Sequence, residues 1–221
     1  MGNQHTGIDD NLRAFIQAQR MFFVATAPLD AGGHVNLSPK GLDTFRILGP
    51  TTVAYLDHVG SGTETIAHVK ENRRIVLMWC AFEGPPNILR LHGRGEVLTP
   101  RDREFRQLRP LFPVTPHEGR AILVVTVDLI ATSCGFGVPL YRFERERSQM
   151  LDWAERKGAD GVREYQRLKN ELSIDGLPAV TWLDAGPRRI PEPRQRAASE
   201  YSAEKAPKRR KDARGRRPGA S

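Results

Sequence analysis

Cysteine is scarce in this chain: Cys80 and Cys134 are the only two in 221 residues, far apart and in no CxxC pairing. That argues against a disulfide framework and a cysteine-based zinc site, and it suits a reducing, cytoplasmic setting. Long apolar runs are missing too. None approaches the ~18 residues that cross a bilayer, so no membrane span is expected. The opening residues, Met1-Gly2-Asn3-Gln4-His5, lack the basic-then-apolar pattern of a leader. The six histidines form no HxxxH or HxH pair, which gives a metal centre little support. No GxGxxG follows the first apolar run, so a Rossmann unit is disfavoured.

Charge of one sign is also missing from most of the chain. The formal net charge is +8, from 34 Lys/Arg and 26 Asp/Glu. Residues 185–221 hold twelve of the bases and four of the acids, which leaves 22 of each sign in residues 1–184. The excess therefore belongs to a C-terminal segment that includes Lys208, Arg209, Arg210 and Lys211, interrupted by Pro187, Pro191, Pro193, Pro207 and Pro218. Such a segment has too little apolar surface to offset its ordering entropy, so a disordered basic tail is expected over 185–221. It invites weak contact with nucleic acid or anionic surfaces, although its basic run 205–217 has no aromatic residues interleaved for base stacking.

What remains, 1–184, reads as one domain. Ile8, Leu12, Phe15 and Ile16 recur at helical spacing and predict a helix over roughly 8–20. Strands are expected at 21–27, at 34–38 after the Gly32-Gly33 turn, at 51–56, at 74–79, at 88–98 and at 121–127. A short helix ends near Asn72, Pro100 opens another in its first turn, and 142–172 looks helical with breaks at Gly158 and Gly161. Six or so short strands with small helices suggest a closed or partly closed antiparallel barrel, mainly β with flanking helices.

Two segments carry candidate chemistry. In Asn36-Leu37-Ser38-Pro39-Lys40-Gly41, an extended chain sets Asn36, Ser38 and Lys40 on one face: an amide, a hydroxyl and a cation in a row. That is a binding surface or a polar outer face leading to a turn. In Gly60-Ser61-Gly62-Thr63-Glu64-Thr65, glycines, hydroxyls and a helix N-terminus make a phosphate cradle without a Walker lysine. The same residues read as a Ser61–Glu64 capping box, and the two readings are compatible.

Taken together, VNLSPKG, TVAYLD, GSGTETIAHVKENRRIVLMWCAF and LRLHGRGEVL, from Arg20 to Leu98, resemble the pyridoxamine 5′-phosphate oxidase-like proteins, the FMN-binding split-barrel family. SCGFGVP and NELSIDGLP look like a subgroup of that family. The resemblance implies a homodimer of split barrels with FMN at the subunit interface. It places Asn36, Ser38 and Lys40 along the flavin, with Lys40 reaching ring or phosphate oxygens. It also sets Tyr55 and Leu56 beside the flavin, and Ser61, Gly62, Thr63 and Thr65 on its phosphate. Two departures argue against vitamin B6 oxidation: Gly62-Thr63 stands where true oxidases have an Arg-Lys pair, and their C-terminal arginine and histidine motif is missing.

The expected activity is FMN-dependent oxidoreduction on an unidentified substrate. The alternatives are a non-catalytic flavin, F420 or haem-binding protein and, from the tail, a nucleic-acid-tethered protein with the barrel as scaffold. His68 and Lys70 read as a solvated helix face, and Trp79 as core or interface. Cys134 precedes the Gly135–Pro139 bend, which could approach the flavin.

Overall fold

Alternating burial along short β-rich runs gives strands that each present one apolar face. In the computed structural model, which describes residues 2–115, 117 and 119–183, eight strands, all but the polar first of this kind, form one antiparallel sheet. They are β1 (Asn3–His5), β2 (Phe22–Thr26), β3 (Asn36–Lys40), β4 (Phe45–Gly49), β5 (Thr52–Asp57), β6 (Arg74–Cys80), β7 (Ile88–Leu98) and β8 (Ala121–Ser133). The spatial order is β3-β2-β6-β7-β8-β5-β4, with β1 paired to β8. The helices are α1 (Asp10–Ala18), α2 (Glu64–Asn72), α3 (Arg103–Leu108) and α4 (Gln149–Asn170). The expected tail over 185–221, with the boundary at 184, lies outside the described residues.

The two edge strands, β3 and β4, are consecutive in sequence yet do not pair. A tight turn at Gly41–Thr44 joins them, with Leu42 and Asp43 both at positive φ (60° and 53°) and Thr44 Oγ1 donating to Gly41 O. The barrel is thus split along one seam. Its interior is closed by Val24, Leu77, Leu89, Leu91, Val53 and Leu123, all essentially inaccessible. Phe22, Phe45, Tyr55 and Trp79 add an aromatic cluster with ring centroids 4.8–5.6 Å apart. Burial of such side chains supplies the main stabilisation, about 1.5–3 kcal/mol for each large aliphatic or aromatic group. The long β7–β8 pair bends at a register shift beside Gly93, where a Cβ would meet Thr126 O at 2.2 Å. Only glycine fits that approach.

Several elements differ from the sequence expectation. β1 and β4 are additional strands, and the return strand runs 36–40 rather than 34–38. Pro100 does not open α3: Asp102 is its N-cap, and the Asp102 carboxylate accepts from Thr99 N and Oγ1 in a turn that precedes the helix. Residues 142–148 are irregular, and α4 begins at Gln149. Its kink falls at Gly158 (φ 66°) alone. His68 is fully buried instead of solvated, because it faces Thr26 rather than water. After α4, residues 171–183 return to the barrel, where Ala179 and Val180 enter the main core.

Candidate functional site

β3 carries its polar residues inward and its apolar ones outward. Asn36, Ser38 and Lys40 are half-buried, whereas Leu37 and Pro39 are exposed. The inward row works as a hydrogen-bonded unit. Asn36 Nδ2 donates to Thr26 Oγ1 (3.1 Å) and to Thr65 Oγ1 (2.9 Å), and Ser38 Oγ donates to Asn36 Oδ1 (2.8 Å). Thr26 Oγ1 continues the chain to His68 Nδ1 at 3.0 Å. The amide thereby ties β3 to β2 and to the first turn of α2.

Lys40 crosses the seam. Its Nζ lies 2.9 Å from Asp57 Oδ1, and the other carboxylate oxygen takes Nε and Nη2 of Arg120 at 2.9 and 2.7 Å. Arg120 Nη1 donates onward to Gly62 O at 2.9 Å. Asp57 is buried, and burial alone would raise its pKa; Arg120 and Lys40 outweigh that and bring it down to about 2. Their charge and hydrogen bonds make the carboxylate the stable form. Three side chains from β3, β5 and the start of β8 therefore hold the loop before α2 with a net charge of +1.

That loop is fixed from its other side by the C-terminal segment. Asn170 Nδ2 donates to Gly60 O at 2.9 Å, and Ile174 N to Glu64 Oε1 at 3.3 Å. Glu64 Oε2 accepts from Thr63 N at 2.9 Å. Thr63, not Ser61, is the N-cap of α2, and its side chain makes no capping bond. The expected Ser61–Glu64 capping box is therefore replaced by Glu64 folding back on the preceding amide. The hydroxyls are left for other partners: Ser61 is exposed, and Thr63 Oγ1 is buried without a hydrogen bond among the described residues. The amides of Glu64, Thr65 and Ile66 open the helix with no acceptor among the described residues. Free donors at a helix N-terminus are the kind of group that can hold an oxyanion.

A cavity of about 710 Å³ opens onto this loop. Seven of the nine sequence-predicted residues line it: Ser38, Lys40, Leu56, Ser61, Gly62, Thr63 and Thr65. Asn36 stands behind them and contacts Thr65. Tyr55 turns the other way, into the aromatic core, because neighbouring strand residues face opposite sides. Burial, then the Asp57 charge, holds its phenol well above the ordinary value; its hydroxyl lies beside Thr65 without a well-directed hydrogen bond.

Sequence reasoning missed Asp57, Arg120 and His58; the region after Phe136 was expected to roof the cleft, and the residues there that line the cavity, with Arg120 and His58, are Phe143, Arg145, Glu146, Arg147, Gln149 and Met150. The signal was faint: Asp57 and Arg120 are single charges abutting the apolar runs of β5 and β8. His58 meets His117 with perpendicular rings 5.2 Å apart, and each ring keeps one buried nitrogen without a partner among the described residues. Burial, then the neighbouring His117, lowers the His58 pKa to about 4; burial and Arg109 lower that of His117. Cys134 is exposed and away from the cavity lining, and Lys70 donates to Ala179 O.

The model of the pyridoxamine 5′-phosphate oxidase family matches residues 8–134, which spans β2 to β8 and the whole α2 loop. The chain belongs to that family. It is 36% identical over 192 residues to the pyridoxamine 5′-phosphate oxidase family protein ustO of Aspergillus flavus, covering 80% of this chain and 77% of that protein. Among solved structures, HupZ of Group A Streptococcus overlaps 56% of this chain and 91% of its own, at 21% identity and a TM-score of 0.45. A FAD-binding protein of Mesorhizobium loti overlaps 60% and 97%, at 12% identity and a TM-score of 0.42. In this family member, residues 143–150 and 170–174, beyond the matched region, supply one wall of the cavity and the brace behind the loop.

Proposed function

We propose that this protein is an FMN-dependent oxidoreductase. The observation that carries the reading is the α2 entrance, where free amides, the unpartnered Thr63 hydroxyl and exposed Ser61 converge on a cavity walled by Lys40 and Arg120. A phosphate monoester there would take hydrogen bonds from Ser61, Thr63 and Thr65 and the field of the helix N-terminus. The Asn36-Ser38-Lys40 row would run along the flavin ring, with Lys40 held in place by Asp57. Bound flavin supplies hydride or electron transfer, and the protein supplies binding, orientation and electrostatics. Gly62-Thr63 in place of an Arg-Lys pair argues against vitamin B6 oxidation, and hydroxyls and amides at the helix start can take the role of those cations toward FMN.

We also read the chain as a homodimer. β3 is an edge strand whose outward residue Leu37 is 63% exposed, next to Val35 at 74%. An apolar outer face on an unpaired edge invites burial against a second copy.

Purification with mass identification of any released cofactor tests the assignment, followed by fluorescence titration with FMN, riboflavin and FAD. FMN at about one per chain, bound more tightly than riboflavin, is expected. Failure to bind FMN overturns the reading, and F420 or haem in its place assigns the cavity to that ligand instead.

A further inference from the structure

The cations around the cavity are of two kinds. Lys40 and Arg120 share the one carboxylate of Asp57. Arg20, Arg145 and Arg147 also line the cavity, yet among the described residues none of their side chains makes an ion pair or a hydrogen bond. Arg20 is steadied instead by Phe143, its guanidinium carbon 5.1 Å from the ring centroid. That contact keeps the positive charge while fixing its position. Of the two acids in the cavity lining, Glu64 is held by Thr63 N and Ile174 N, whereas Glu146 turns toward Gly41: its Oε2 lies 3.8 Å from where a Gly41 Cβ would be. The group thus holds three arginines and one carboxylate, a net charge of +2.

Its place in the fold separates it from the oxyanion donors of α2. Thr65 meets Asn36 at the start of β3, whereas the Arg20 backbone carbonyl and the Glu146 carboxylate lie beside Gly41, just past its end. Asn36 and Gly41 are five strand rises apart, roughly 16 Å along β3. The Lys40–Asp57–Arg120 cluster links the two regions, running from Lys40 beside Gly41 to Gly62 of the α2 loop. The arginines come from the α1–β2 junction and from the irregular 142–148 segment, so they sit at the mouth, exposed to solvent.

We infer that Arg20, Arg145 and Arg147 form a second oxyanion subsite, which takes the carboxylate or phosphate of the small-molecule reactant that meets the flavin. Arginine suits this task, since its planar fork grips such groups through paired hydrogen bonds. The existence of the subsite rests on the arginines alone; its role as a reactant site rests on the FMN reading. Location at the mouth lets an anionic molecule enter with its charge held outward and its uncharged part directed inward.

The test uses the full-length protein, first loaded with FMN, titrated by calorimetry with succinate, inorganic phosphate and the uncharged succinamide. Saturable binding of either anion but not of succinamide is expected, weakened at least tenfold in Arg145→Ala/Arg147→Ala and largely rescued by Arg145→Lys/Arg147→Lys. The stronger of the two probes identifies the oxyanion class. The Kd for FMN should change less than twofold in the alanine variant. Absence of anion binding, or anion binding that competes with FMN, overturns the subsite. FAD binding at least tenfold tighter than FMN, with the advantage lost in the alanine variant, would assign the arginines to a dinucleotide and overturn the reactant role. If FMN fails to bind, the same titrations on the protein as purified still decide whether the arginines hold an anion.

Discussion

Lys40 Nζ lies 2.9 Å from Asp57 Oδ1, linking β3 to β5 where the barrel seam leaves the two edge strands unpaired. Asp57 in turn orients Arg120, which holds Gly62 O and with it the entrance to α2. One buried carboxylate therefore couples closure of the barrel to the shape of the candidate phosphate loop.

Asp57→Asn should consequently be among the most damaging single changes in the chain. It strands two cations at a buried position, and removing one partner of a buried pair typically costs about 3–5 kcal/mol. Equilibrium urea unfolding should show that loss, and a variant within 1 kcal/mol of wild type (~1) would contradict the coupling.

The acid side of the stability profile should have two parts. Folded His58 has a pKa of about 4 against 6.5 when unfolded, so between these values the unfolded chain binds more protons. Stability therefore falls as the pH drops from 6.5 toward 4, and the lowered pKa of His117 adds in the same direction. Folded Asp57 is at about 2 against 3.8, so its contribution is present above 3.8 and is lost as pH falls toward 2. Denaturant midpoints measured from pH 7.5 to 4.5 should show the first part, and His58→Gln should flatten it by up to about one proton.

For the flavin itself, Lys40→Ala and the paired change Ser61→Ala with Thr65→Ala should each weaken FMN binding roughly 10- to 100-fold, the equivalent of about 1.5–3 kcal/mol for charge-assisted hydrogen bonds. Riboflavin, which has no phosphate, should be little affected by the Ser61/Thr65 pair. Ser61 does not cap α2, so its loss should leave helix content unchanged by circular dichroism. Wild-type FMN affinity in both variants would mean that the phosphate lies elsewhere.

Cutting the chain before Ser173 should damage the fold, not only reactant selection. It removes Ala179 and Val180 from the core, the Ile174 contact with Glu64 and the Ala179 carbonyl that accepts from Lys70. Faster amide exchange at the start of α2 and a lower Tm are expected. An unchanged melting curve would show that the segment only decorates the barrel.

Ending the chain at 184 instead should leave Tm and flavin content nearly unchanged, because the last core residues precede that point. Any binding to DNA or anionic vesicles should vanish with the tail, and in the full-length protein it should fall steeply with added salt.

Local pattern determined much of this protein. Compact apolar runs rich in β-branched residues, such as 74–79 and 121–127, become β6 and β8 because such side chains fit a pleated, buried surface. That Asn36, Ser38 and Lys40 share a face and that Gly60–Thr65 leads into a helix were legible from local pattern: both lie within a few residues, where strand geometry and a helix start set which groups sit together. β4 was not legible, since Phe45–Gly49 is a strand only because β5 offers it an edge. Nor was the turning of Tyr55 into the core, the burial of His68, or the meeting of Asp57 with Arg120, 63 residues away in sequence. Those follow from how the sheet curls and where its seam falls. Tertiary structure alone decided which charges became partners, because pairing depends on distances across the barrel that local sequence does not encode.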